Sequence, residues 1–375
     1  MGAPSNFINV AEFHGKDRTL RAIRGLPPVH HRFDEESLNA INAALAAERP
    51  LLVRGEPGTG KSQLARAAAE ILGRAFIWRV ADAQTQVSDL FYTFDAISRL
   101  ARAQVVGPLL AGAKDPLDVP ALLDERNFVA PGPLWWAFAP KKARRWYERY
   151  RLHCEASAPK AQGDVAGEDE DEDRSVAPYS EDELAAGAVV LIDEIDKTDA
   201  SVPNGLLEAL GQGTFPVPRG GVISFHGSGP APLVIITTNE ERELPAAFLR
   251  RCLVLHIPVP EGQGDFVKWL VERGETHFGR GEHDDRAKDN PDYEILSREV
   301  LERVAELVFK DRREADAEGL SLPGQAEYLD FLRALARLRT KNADRLSFLH
   351  KIEDFALVKH PDLHKKRRGA ASKGA

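Results

Sequence analysis

The sequence predicts an α/β fold, a parallel sheet covered by helices on both faces, followed by a smaller all-helical domain. Three observations carry that expectation. Five short apolar runs rich in β-branched residues lie between Leu51 and Ile257, and helical stretches separate several of them, the pattern of strands buried on both faces. The first run leads directly into Gly55-Glu56-Pro57-Gly58-Thr59-Gly60-Lys61-Ser62, a complete G-x-x-x-x-G-K-S phosphate-binding loop. From about Gly262 onward the strand signal vanishes and apolar residues recur at helical spacing.

Composition sets the outer bounds. The chain has 375 residues, 43% hydrophobic and 29% charged, which excludes disorder of the whole chain and allows one large domain or two ordinary ones. A formal charge of −8 gives no global reason to expect nucleic acid. Cys154 and Cys252 show no C-x-x-C spacing, which suits a reducing compartment and excludes a zinc ribbon. No apolar stretch approaches the length of a membrane span and the N-terminus lacks a basic-then-apolar pattern, so the expected location is cytoplasmic.

Taken in order, residues 34–49 read as an amphipathic helix, with Leu38, Ile41 and Leu45 at helical spacing. Leu51-Leu52-Val53 is the first strand, and behind the loop the residues from Ser62 to Glu70 are rich in helix formers. The other strand candidates are residues 76–80, 189–192, 233–236 and 253–257. Residues 134–151 interleave Trp135, Trp136, Trp146, Tyr147 and Tyr150 with Lys141, Lys142, Arg144, Arg145, Arg149 and Arg151. That mixture suits stacking on bases with phosphate contact; apart from Trp135 and Trp136, it reads equally as an amphipathic helix whose basic face meets the acidic run that follows. Residues 164–183 are dominated by Asp, Glu, Ala and Gly, and read as a solvated, disordered loop. The end of the chain, with Lys365, Lys366, Arg367 and Arg368, reads as a basic flexible tail.

The chemistry gathers at strand ends. In the loop, the glycines let successive backbone N–H groups point at the β- and γ-phosphates of a nucleoside triphosphate, Lys61 adds a cation, and the Ser62 hydroxyl can ligate Mg²⁺. The third apolar run stops at Asp193 and Glu194, at the carboxyl end of its strand, where open α/β sheets bind ligands. There Asp193 can hold a Mg²⁺-bound water and Glu194 can polarise the attacking water as general base. Helix capping is the competing account of the acids in this stretch, Asp196 and Asp199 above all. The fourth run ends at Asn239, whose amide could orient the water or contact the γ-phosphate.

These parts, in this order, resemble the AAA+ ATPases, and more narrowly their MoxR-like branch. The resemblance covers roughly residues 33–260. Walker A is 55–62, Walker B is 189–194, sensor 1 matches Asn239, and 244–251 resembles the arginine-finger element. It implies a P-loop NTPase core with a five-stranded parallel sheet, a helical lid, ATP and Mg²⁺ as ligands, and a hexameric ring with nucleotide at subunit interfaces. Arg250 and Arg251 would then act in trans on the γ-phosphate of the neighbour; surface groups on a helix are the alternative. The implied layout is an N-terminal segment 1–32, a nucleotide-binding domain 33–260 with insertions at about 91–127 and 140–183, a helical lid 261–360 and a tail 361–375. One departure concerns sensor 2: the stretch Leu320 to Gln325 carries no Arg or Lys, and Arg312 and Arg313 lie upstream of the motif.

Three function classes follow. The favoured one is an ATP-driven ring that remodels a protein partner, as MoxR-like relatives do with proteins that often carry von Willebrand A domains. A nucleic-acid-directed motor similar to the McrB-type GTPases of DNA restriction is the second. A regulatory NTP-binding switch with little turnover is the third, and Glu194 argues against it.

Overall fold

A computed structural model of the chain describes residues 7–112, 119–155, 178–219, 221–224, 230–279 and 294–357. The acidic run at 168–173 and the basic tail lie outside the described residues. Contacts cluster into two compact units. The first comprises residues 1–9, 36–53 and 64–255, and the second 10–35, 54–63 and 256–375.

All five predicted strands form, as β1 (Leu51–Gly55), β2 (Ala75–Val80), β3 (Ala188–Asp193), β4 (Leu233–Thr238) and β5 (Leu253–Ile257). They make one parallel sheet in the order β5-β1-β4-β3-β2. In the registers around β3, Leu233 pairs with Val189 and Phe76 also pairs with Val189, both in parallel. Residues of β3 and β4 are buried almost throughout, because a central parallel strand faces helices on both sides. Helix α1 (Glu35–Ala47) buries Leu38, Ile41 and Ala44, one stripe at helical spacing. Helix α2 (Lys61–Leu72) follows the phosphate loop.

In both segments expected as insertions, the described residues form regular elements. Strand Tyr92–Phe94 pairs antiparallel with Val129–Pro131, and this stem encloses a helix at Ala96–Gly112. The aromatic, basic segment folds as helix Pro133–Phe138 and helix α3 (Pro140–Glu155). Trp135 and Trp136 are buried; Trp135 packs on Trp146 and Phe215, and Trp136 on Tyr147 and Tyr179. Trp135 and Trp136 are thus engaged in core packing, while Trp146, Tyr147 and Tyr150 are half-buried. Arg144 donates to the Tyr179 carbonyl at 2.8 Å and lies 3.5 Å from Glu181, so the basic helix meets the end of the acidic segment. In the described end of that segment, Ser180 caps a helix at Glu181–Ala185, its hydroxyl accepting from the Glu183 N–H.

The first unit also holds α4 (Ser201–Gln212) and α5 (Ala246–Leu249), and the second holds α6 (Gln263–Phe278), α7 (Arg298–Ala317), α8 (Gln325–Leu338) and α9 (Asn342–Ala356). Phe266, Leu270, Val304, Tyr328, Phe331 and Leu335 form its core, each full burial contributing about 1.5–3 kcal/mol. Residues 10–35 and 54–63 cluster with these helices, whereas a sequence-based cut runs contiguously at 260. Among the described residues no helix is long and apolar enough to cross a membrane.

Candidate nucleotide site

The phosphate loop belongs to the second unit. Gly55, Gly58 and Gly60 have φ of +152°, +76° and +92°, conformations that favour glycine. A Cβ on Gly58 would meet the Ala326 Cβ at 2.6 Å, and one on Gly55 would meet the Ile257 carbonyl at 2.8 Å. Gly60 faces open space within 4 Å, which leaves its backbone accessible to a bulky anion. The Lys61 ammonium is buried and donates to the Gly55 and Glu56 carbonyls, both at 2.8 Å. Thr59 donates to the Glu56 carbonyl at 2.9 Å, closing the turn around Pro57. Ser62 stands in the first turn of α2, the place a metal-ligating hydroxyl requires. A backbone cradle with one buried cation and one hydroxyl fits a magnesium-bound triphosphate, in which the phosphates themselves supply most metal ligands. Among the described residues no cluster of three or more His, Cys, Asp or Glu side chains could hold a metal.

The loop is also gripped from the helical side of its own unit. Arg312 on α7 donates to both Glu56 carboxylate oxygens, at 2.6 and 2.8 Å, and to the Pro323 carbonyl at 3.2 Å. Arg312 falls outside the expected sensor 2 motif, and a pairing across 256 positions leaves no local signal. Next to it, Gln325 accepts from Arg273 Nε at 2.7 Å. Burial lowers Arg273 to about 10, and its guanidinium lies 4.0 Å over the Trp269 ring.

The acidic strand end belongs to the first unit, and here Asp193, Glu194 and Asn239 do come together. Thr237, the penultimate residue of buried β4, accepts from the Glu194 N–H at 2.9 Å and donates to Asp193 Oδ1 at 2.5 Å. Glu194 turns the chain with φ +59°, a left-handed conformation uncommon for any side chain but glycine. Its carboxylate accepts from Asn239 Nδ2 at 3.1 Å and from Lys197 Nζ at 2.7 Å. That hydrogen bond raises the Lys197 ammonium above its ordinary value. Asp196 is buried and does not cap the next helix, whose N-cap is Ala200. Instead its Oδ2 accepts from the Asn239 and Glu241 N–H groups at 3.2 and 3.0 Å, fixing the turn that follows β4. The supporting roles of Thr237, Asp196 and Lys197 were thus missed; a hydroxyl two residues before the strand-end amide was the available signal for the first.

Arg250 and Arg251 are exposed on the turn after α5, in the first unit and away from the acids in sequence. Adjacent Cys252 is buried, which pushes its thiol up to about 12 and makes it inert.

The AAA domain family model, dynein-related subfamily, matches residues 50–252. A curated relative, Midasin of Giardia intestinalis, is 39% identical over 89 residues, 24% of this chain and 2% of that protein. Among solved structures, a single-residue variant of RuvB from Thermotoga maritima aligns over 85% of this chain and 69% of its own, with 14% identity and a TM-score of 0.37. The RuvB Holliday junction branch migration motor of the same organism aligns over 86% and 74%, with 13% identity and a TM-score of 0.34.

Proposed function

The chain belongs to the AAA domain family, dynein-related subfamily, and from that premise we propose that it hydrolyses ATP with Mg²⁺ in a ring of like subunits and uses the cycle to remodel a protein partner. The narrower placement is the MoxR-like branch, with a hexamer as the ring and a von Willebrand A domain protein as the expected class of client. The observation that carries the hydrolytic reading is the acidic strand end, where one threonine ties Asp193 to the backbone of Glu194.

In this mechanism the backbone N–H groups of residues 58–62 and the Lys61 ammonium hold the β- and γ-phosphates. Ser62 and Asp193 are the residues that would hold Mg²⁺, which would supply charge neutralisation on the phosphate oxygens. Glu194 takes the proton of the attacking water as the water's oxygen bonds to the γ-phosphorus and the bond to ADP breaks. Asn239 keeps the Glu194 carboxylate aimed, and Lys197 must release it before it can act as a base. Arg250 and Arg251 reach the γ-phosphate held by the neighbouring subunit and stabilise the charge that develops there.

Lys61→Ala should abolish nucleotide binding, because the buried cation is lost. Glu194→Gln should bind normally yet lose turnover, since an amide cannot accept the proton. Calorimetry and phosphate release on both variants make the test, and wild-type turnover in Glu194→Gln would sink the assignment.

A further inference from the structure

Arg49 lies between α1 and β1, where Glu48 takes a left-handed φ of +50° and Pro50 leads into the strand. Its Nε donates to the Arg251 carbonyl at 3.0 Å, and its Nη2 donates to the Arg250 carbonyl. The next residue, Pro50, accepts at 2.9 Å from the N–H of Leu253, the first residue of β5. Two adjacent residues therefore fix the backbone from 250 to 253. Helix α5 spans only Ala246–Leu249, and carbonyls at and beyond its end lack partners within the helix. A guanidinium there satisfies them and complements the negative end of the helix. Its planar fork can hold two successive carbonyls in one orientation, which an ammonium cannot.

We propose that Arg49 is a positioning residue that sets the backbone from which Arg250 and Arg251 project. It thereby ties the arginines offered to a neighbour to the start of β1. The inference rests on the reading that those arginines act in trans. Arg49 itself does not reach the neighbour's phosphates, because its guanidinium is spent on main-chain carbonyls.

The test uses full-length chains in mixed assemblies. Chains carrying Arg250→Ala and Arg251→Ala keep an intact Glu194 and accept an arginine; Glu194→Gln chains donate one. Recovered ATP hydrolysis in the mixture reports donation. Adding Arg49→Met to the donor chain should cut the recovery at least about tenfold, the scale expected when a charged group is misplaced at a reacting centre. Adding it to the acceptor chain should leave the recovery unchanged, an asymmetry that general destabilisation would not produce. Arg49→Lys in the donor should restore only part of the rate. Undiminished recovery with the Arg49→Met donor, or equal loss in both placements, overturns the inference alone. Absence of recovery with the unaltered donor, in mixed rings shown to form, overturns the trans reading and this inference with it.

Discussion

At the phosphate loop, geometry is carried by the backbone: three glycines with positive φ, a lysine returned to its own carbonyls, and a helix residue packed where a Cβ on Gly58 would stand. At the acidic strand end it is carried by side chains, with Thr237, Asp196, Asn239 and Lys197 each holding a neighbour. A backbone cradle tolerates almost no change at its glycines but is indifferent to many of its side chains. A side-chain network loses function one bond at a time. The two regions should therefore fail differently when altered, and four measurements bear on that contrast.

The largest effect is expected at Gly58. Alanine there must take φ near +76° and bring its Cβ to 2.6 Å from that of Ala326. The left-handed conformation alone costs about 1–2 kcal/mol, so Gly58→Ala should weaken nucleotide binding by more than about tenfold. Calorimetric titration checks this, and unchanged affinity would show that the loop adapts.

The second effect separates the units by pH. His31 and His277 both lie in the second unit and burial lowers each to about 4 from 6.5. Their depressed folded values mean that the unfolded chain binds more protons below 6.5. Stability is thus present above that value and lost as pH falls from 6.5 toward 4. Both rings are only partly buried by surface exposure, so the combined loss by pH 5.5 should be nearer about 1–2 kcal/mol than the full sum of both groups. Hydrogen exchange in Gln263–Phe278, corrected for intrinsic rates, should lose protection at pH 5.5 while β3 keeps its own. Equal loss in both units would erase the contrast.

Third, Thr237→Val removes one hydroxyl that serves two partners. Leaving the Glu194 N–H and the Asp193 carboxylate short of a bond costs about 1–2 kcal/mol, so turnover should fall about tenfold with nucleotide affinity unchanged. A steady-state split of kcat from KM decides it, and a change confined to KM would contradict the network view.

The smallest effect belongs to Arg312→Met. Its partner Glu56 is 38% exposed, so the pair is screened and contributes about 1 kcal/mol or less. Nucleotide affinity should change by less than about fivefold, and the difference should shrink in high salt. A far larger, salt-insensitive loss would place Arg312 on the nucleotide itself.

The same contrast accounts for what was legible in the sequence. Glycine positions announce a backbone conformation, so 55–62 could be read as a cradle before any fold was known. All five strands were legible because β-branched apolar runs have few other uses. Asp193, Glu194 and Asn239 could be found as polar residues ending buried runs. Their supports could not, because Asp196 and Lys197 look like surface acids and bases until the strand ends meet. Arg312 and Arg49 act across long separations and leave no local pattern. Trp135 and Trp136 were legible as core residues through the resemblance, whereas Trp146 and Tyr147 were ambiguous because stacking on a base and packing on a neighbouring ring use the same side chain.

The strand order carries a consequence for how the protein comes to exist at all. Strand β1 is made early, yet its neighbours in the sheet are β4 and β5, and the partners Arg49 and Arg251 are 202 positions apart. Closing contacts of that span is slow, and until it happens unpaired apolar strand edges are exposed to other chains. During synthesis β1 must wait for nearly the whole first unit to emerge before its place in the sheet can be filled. A chain that stops before β5 would carry every glycine of the loop and both acids, and still present an open edge beside the strand that leads into the loop. Such a fragment is a candidate for aggregation, not a smaller enzyme.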